Sequence, residues 1–163
     1  MDKVIIIGCP GSGKSTFGRK LASVTGLPLY HLDMLYWNAD KTTVDRDLFV
    51  SRLRKVMDET KWIIDGNYGS TMEWRTAECD TIFFLDYPVD VCLRGIEERR
   101  GSPRPDMPWV EEGEPDEDFV DFVRNYNIEC RPYVISMLEK YTDKKIHVFN
   151  SRDEAEEFLH ELR

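Results

Sequence analysis

Short apolar runs alternate along this chain with stretches of helical period. Lys3 to Gly8 is a compact apolar run of the kind that fills a buried parallel strand. Behind it, Phe17, Leu21 and Val24 fall on one helical face of Lys14 to Thr25, and Gly26 suits the helix end. Leu27 to Leu32 reads as a second strand. Val44, Leu48, Leu53 and Val56 then mark a helix over Val44 to Glu59. Trp62 to Asp65 is a third strand stopped by Gly66, and Thr81 to Leu85 is a fourth ending in Asp86. Val89 to Arg100 is predicted helical.

The pattern then breaks. Gly101 to Pro115 holds four prolines and two glycines among mixed charges, with no core-forming period, and is expected to be a mobile loop. Phe119, Phe122, Val123 and Tyr126 restart a helix, which Pro132 should kink or replace by a second one. Val134, Met137, Leu138 and Tyr141 continue its apolar face. Ile146 to Phe149 is the fifth strand. A last helix runs from Ser151 to Leu162, with Ser151 or Asp153 near its start. Strands alternating with helices predict one α/β domain over residues 1–163 built on a parallel sheet, with an insertion at about 100–116.

Composition narrows the function classes. The net charge is −9, against the basic footprint usual for nucleic-acid binding, so a nucleic-acid partner is not expected. No run approaches the roughly 18 apolar residues of a membrane span, and the chain opens on a strand-like run, so a cytoplasmic protein without a membrane partner is expected. The four cysteines, Cys9, Cys79, Cys92 and Cys130, lack metal-site spacing and read as reduced and mostly buried. Cys9, inside a glycine-rich turn, is a candidate for oxidation without a catalytic role.

That turn carries the chemistry. Gly8, Cys9, Pro10, Gly11, Ser12, Gly13, Lys14 and Ser15 fit GxxxxGK[ST], with a strand before and a helix after. Glycines let the backbone approach a ligand, successive N–H groups converge on phosphate oxygens, and the helix start adds its positive dipole end. Lys14 is placed for the β- and γ-phosphates, Ser15 for Mg²⁺, and Thr16 near the α-phosphate. ATP with Mg²⁺ is therefore the expected nucleotide. In an open α/β sheet ligands bind beyond the carboxyl ends of the strands. Asp33, Asp65 and Asp86 each follow an apolar strand and should face that crevice.

"GCPGSGKST", "YHLDMLYW", "WIIDGNYGST", "FFLDYP" and "RGIEERRGSPRPDM" together make the chain resemble the small P-loop nucleotide and metabolite kinases, the adenylate kinase-like group that includes shikimate and gluconate kinases. Within it, the chain looks most like the bacterial adenylate kinase-related "topology modulation" proteins. The resemblance implies a three-layer fold with sheet order 2-3-1-4-5, and a lid at the insertion. It implies transfer of the γ-phosphoryl group of ATP to a small-molecule acceptor, whether nucleoside, nucleotide or hydroxylated metabolite. Asp33 would touch the acceptor or the magnesium shell, and Asp65 would lie near that shell. Gly66 would let the acceptor approach the backbone, with Asn67, Tyr68, Arg75 and Tyr36 around it. In adenylate kinase an arginine soon after this turn holds AMP phosphate; here the slot reads Asn-Tyr.

Arg94, Arg99, Arg100 and Arg104 flank the lid, and Arg99 and Arg100 are the expected catalytic arginines. Arg124 and Arg131 follow it, Arg131 being the better candidate. Asn150 and Arg152, with Ser151 between them, would border the adenine ring. Asp86 is a weaker candidate for metal contact, Trp37 for stacking on the acceptor, and His31 for catalysis. A monomer is the default. The alternative reading is a regulatory ATP-binding protein with little kinase activity, linked to DNA topology.

Overall fold

The computed structural model describes residues 1–163. Its centre is strand β1 (Lys3–Gly8). The other strands are β2 (Leu29–His31), β3 (Trp62–Asp65), β4 (Thr81–Leu85) and β5 (Lys145–Phe149). All pair in parallel in the order β2-β3-β1-β4-β5. This is the expected order. Parallel strands need helical crossovers, which cover both faces of the sheet and demand two-sided apolar strands. Val4 and Ile6 accordingly enter one core with Phe17, Leu21, Phe83 and Leu159. Ile5 and Ile7 enter the other with Phe49, Leu53, Trp62, Met72 and Met137.

The helices are α1 (Lys14–Thr25), α2 (Leu32–Tyr36), α3 (Arg46–Met57), α4 (Gly69–Glu78), α5 (Val89–Arg99), α6 (Glu117–Arg124), α7 (Tyr126–Glu129), α8 (Arg131–Lys140) and α9 (Arg152–Glu161). Gly26 ends α1 in the left-handed conformation and donates to Ala22 O. Asp45 caps α3 by accepting from Leu48 N at 2.8 Å, and Ser151 caps α9 by accepting from Glu154 N. Pro132 sits in the first turn of α8, where a missing N–H costs nothing.

Two elements lie outside the sequence reading. The second predicted strand is only three residues long, because the chain turns into α2 at Leu32. Helix α4 fills the interval between β3 and β4, packing Met72 into the core. The four cysteines are free thiols, and three are buried. No helix is long and apolar enough to cross a membrane.

The 100–116 segment contains no helix or strand, yet it is tied down. Gly101 N donates to Glu111 O at 2.6 Å, Asp106 and Met107 are buried, and Trp109 meets Trp37 edge to face with centroids 5.8 Å apart. Burial without a period escapes a search for periodicity.

Candidate active site

The strand ends converge on a cavity of about 1040 Å³. One wall is the turn from Pro10 to Thr16. Opposite stand Asp33, Trp37 and Lys41, the floor is Asp65 to Tyr68, and Arg99 to Asp116 bound it from above.

The turn is held from two sides. Asn67 reaches across from the end of β3: its Oδ1 accepts from Gly8 N at 3.1 Å and its Nδ2 donates to Gly8 O at 2.6 Å. On the other side Gly11 lies against Gly95 of α5. A Cβ on Gly95 would sit 2.0 Å from Gly11 O, and one on Gly11 would sit 2.1 Å from Cys92 O. Only glycine at both places permits this approach. Helix α1 then starts from Gly13 with no side-chain cap, which leaves its first N–H groups without partners inside the helix. Lys14 Nζ donates to Gly8 O at 2.9 Å and Cys9 O at 3.2 Å. Burial pulls its pKa down, while Asp65 and Asp33 pull it up.

Asp33, in the first turn of α2, and Asp65, at the end of β3, face this lysine. Burial raises the Asp33 carboxyl above its usual range. A hydrogen bond from the Tyr68 hydroxyl, at 2.5 Å, and the Lys14 charge oppose the rise. Asp65 Oδ2 pairs with His31 Nδ1 at 2.6 Å, so His31 braces Asp65. Arg99 completes the group: burial lowers its pKa, as does neighbouring Arg104, and Glu111 and Asp33 offset both. The oxygen donors Ser15, Asp33 and Asp65 suit a hard cation such as Mg²⁺. No three acidic, His or Cys groups are gathered to chelate a metal alone.

Several sequence expectations are corrected. Arg75 does not line the cavity: it is 0% exposed. Its guanidinium donates to the carbonyls of Gly66 (3.0 Å), Asn67 and Tyr68 (3.2 Å). It thereby steadies Tyr68, whose φ of 39° is a rare left-handed value for a side-chain-bearing residue. Tyr36 packs behind the wall, on Phe49 and Tyr68, not in the cavity. Gly66 borders the cavity, but a Cβ there would meet Leu32 Cβ at 2.9 Å, so internal packing already requires the glycine. Both polar ends of Asn67 are taken by Gly8. Gly8 itself lies behind the cavity surface, at the strand end.

Arg131 points elsewhere too. It forms a two-pronged ion pair with Asp86, at 2.9 and 2.8 Å, and neither lines the cavity. That pairing removes the arginine from the catalytic set and the aspartate from metal contact. Arg94 is 69% exposed and pairs with Asp90, and Arg124 pairs with Asp121 at the surface. Asn150 lies in a separate groove of about 460 Å³ with Tyr87, Pro88 and Val91. Arg152 borders both spaces. Cys9 is 2% exposed, and its contact with the Cys92 thiol, with burial second, pushes its pKa up. A buried, protonated thiol is a poor oxidation target.

Among the cavity residues that the sequence reading did not single out are Lys41, Asp106 and Glu111. The signal for Asp106 and Glu111 was charge inside the proline-rich loop, and Lys41 gave none.

No family model matches the chain. It is 26% identical to shikimate kinase of Rhodococcus jostii strain RHA1 over 137 residues, covering 75% of this chain and 78% of that one. Shikimate kinase of Brucella canis is 25% identical over 115 residues, and the match spans 58% of its length. Among solved structures, shikimate kinase of Bacteroides thetaiotaomicron superposes with TM-score 0.58 at 23% identity, covering 98% of this chain and 94% of that one. Shikimate kinase of Acinetobacter baumannii, solved in complex with shikimate, gives 0.65 at 15% identity, covering 99% and 93%. The chain is thus similar in sequence to these shikimate kinases, and its five-stranded parallel sheet shares the fold of their solved structures.

Proposed function

We propose that this protein moves the γ-phosphoryl group of Mg-ATP to a hydroxyl of a small, hydroxylated acceptor. The observation that carries the reading is the meeting of Lys14, Asp33, Asp65 and Arg99 in one cavity above an uncapped helix start. Phosphoryl transfer needs little covalent help from protein: positioning and charge stabilisation do most of the work. The N–H groups from Gly11 to Thr16 bind the phosphate chain. Lys14 leaves its two carbonyl partners for the β- and γ-phosphates. Arg152 borders the nucleotide side. Ser15 would hold the magnesium ion, with Asp65 and its His31 brace beside it; when bound, that ion supplies charge neutralisation between the β- and γ-phosphates.

Asp33 orients the acceptor hydroxyl and takes up its proton. Arg99 and Arg100 offset charge on the transferring group, and the 100–116 segment serves as the lid that excludes water. The names of the relatives make shikimate one acceptor to test. The decisive assay is ADP release from Mg-ATP, screened across shikimate, gluconate, nucleosides and nucleoside monophosphates, with a Lys14→Ala variant purified alongside. Acceptor-stimulated release that the variant lacks supports the reading. ATP binding with no stimulation by any acceptor would sink it, in favour of a regulatory ATP-binding protein.

A further inference from the structure

The acceptor end of the cavity has an unusual balance of charge. A carboxylated or phosphorylated acceptor needs a free cation, best an arginine fork. None is free there. Arg75 is spent on three backbone carbonyls. Arg104, 15% exposed, is held between Asp106 at 3.6 Å and Glu111 at 3.3 Å. Arg99 shares Glu111 at 3.3 Å, and Arg100 lies between Glu97 and Glu114. Lys41 rests over the Trp109 ring, 5.2 Å from its centroid. Three carboxylates also line the cavity: Asp33, which accepts from the Tyr68 hydroxyl, Asp65, paired with His31, and Asp106, beside Arg104.

The same end is aromatic. Trp37 and Trp109 meet at 76°, and Tyr68 lines the cavity beside Asp33. The Trp109 Nε1 is buried with no hydrogen-bond partner, a donor the protein itself does not use. Flat apolar faces beside hydroxyl-accepting carboxylates recognise an uncharged ring bearing hydroxyls.

We infer that the acceptor is an uncharged, ring-bearing polyol of the nucleoside class, held by the Trp37–Trp109 wall and selected against anions by the acid-paired arginines. This rests on the kinase reading for its direction of transfer, but binding can be read without it. The test is calorimetric titration of the protein saturated with Mg²⁺ and a non-hydrolysable ATP analogue, so that the nucleotide site is filled. The probes are the common nucleosides, their 5′-monophosphates and shikimate.

At least one nucleoside should bind tenfold or more tightly than its monophosphate and than shikimate. Trp109→Ala should weaken that nucleoside roughly tenfold, the usual scale for loss of a stacking partner, with the affinity for the analogue as the control for folding. The double variant Asp106→Asn/Glu111→Gln keeps shape while releasing Arg104, and should raise the affinity for shikimate at least tenfold. Loss of shape alone would not improve anion binding. The inference is overturned if no nucleoside binds, or if shikimate or a monophosphate binds the unaltered protein as tightly as any nucleoside. Nucleoside binding without transfer would sink the kinase reading and leave this one standing. Transfer to shikimate with no nucleoside binding would do the reverse.

Discussion

Asn67 grips Gly8 by both its backbone groups, at 3.1 and 2.6 Å, across the gap between β3 and β1. One side chain thus fixes where the phosphate-binding turn leaves its strand. Each such bond contributes about 1 kcal/mol. Asn67→Ala should therefore weaken ATP binding roughly tenfold, as read by titration calorimetry. Asn67→Asp, which retains only the acceptor, should fall between. An unchanged affinity in both variants would show that Gly11 and Gly95 hold the turn unaided.

Arg75 separates structure from catalysis. Burial presses its pKa down to about 10. Three carbonyls offset that burial. Arg75→Ala removes the arginine from the Gly66 and Asn67 carbonyls, while the Tyr68 carbonyl keeps Thr71, and should cost about 3 kcal/mol of stability in urea unfolding. Arg75→Lys should not restore it, since an ammonium cannot span the three carbonyls. A stable but inactive Arg75→Ala would instead return the residue to the site.

Arg99 and Arg131 offer a paired comparison. Arg99→Ala should lower kcat/KM about 100-fold or more with ATP affinity nearly kept, the scale seen when one charge-stabilising donor is removed. Arg131→Ala, whose arginine is occupied by Asp86 outside the cavity, should change kcat/KM less than about threefold. Equal losses in the two would contradict the cavity boundary drawn above.

The pH profile should carry the signature of Asp33. Burial raises its carboxyl, so the ionised form is lost at a higher pH than for an ordinary aspartate, near 3.9. The acid limb of kcat/KM should therefore lie above that range. Tyr68→Phe removes a hydrogen bond that favours the charged form, and should move the limb further up. A limb that stays in place in Tyr68→Phe would assign it to another group.

What the sequence disclosed, and what it hid, follows from the range of the interactions. The turn from Gly8 to Thr16 is local: strand, glycines, lysine and helix start are contiguous, and the motif is legible without any fold. The sheet order came from resemblance. The functions of Arg75 and Arg131 depend on what lies opposite in space. An arginine among carbonyls and one against a carboxylate 45 residues away look alike in a string of letters. Tyr36 misled for a related reason. It lies three residues from Asp33 on a short helix, but its ring is covered by Phe49 and Tyr68, which are far from it in sequence.

Gly95 and Arg99 are four residues apart on α5, just over one turn of helix, a rise of about 6 Å. Because Gly95 abuts Gly11 with no side chain between them, the Gly11 turn and the root of Arg99 are packed directly together. The span from nucleotide to arginine is then a ruler, graduated in helical rise. A nucleotide seated on the turn would meet the arginine at a distance set by that rise, whatever molecule waits on the far side.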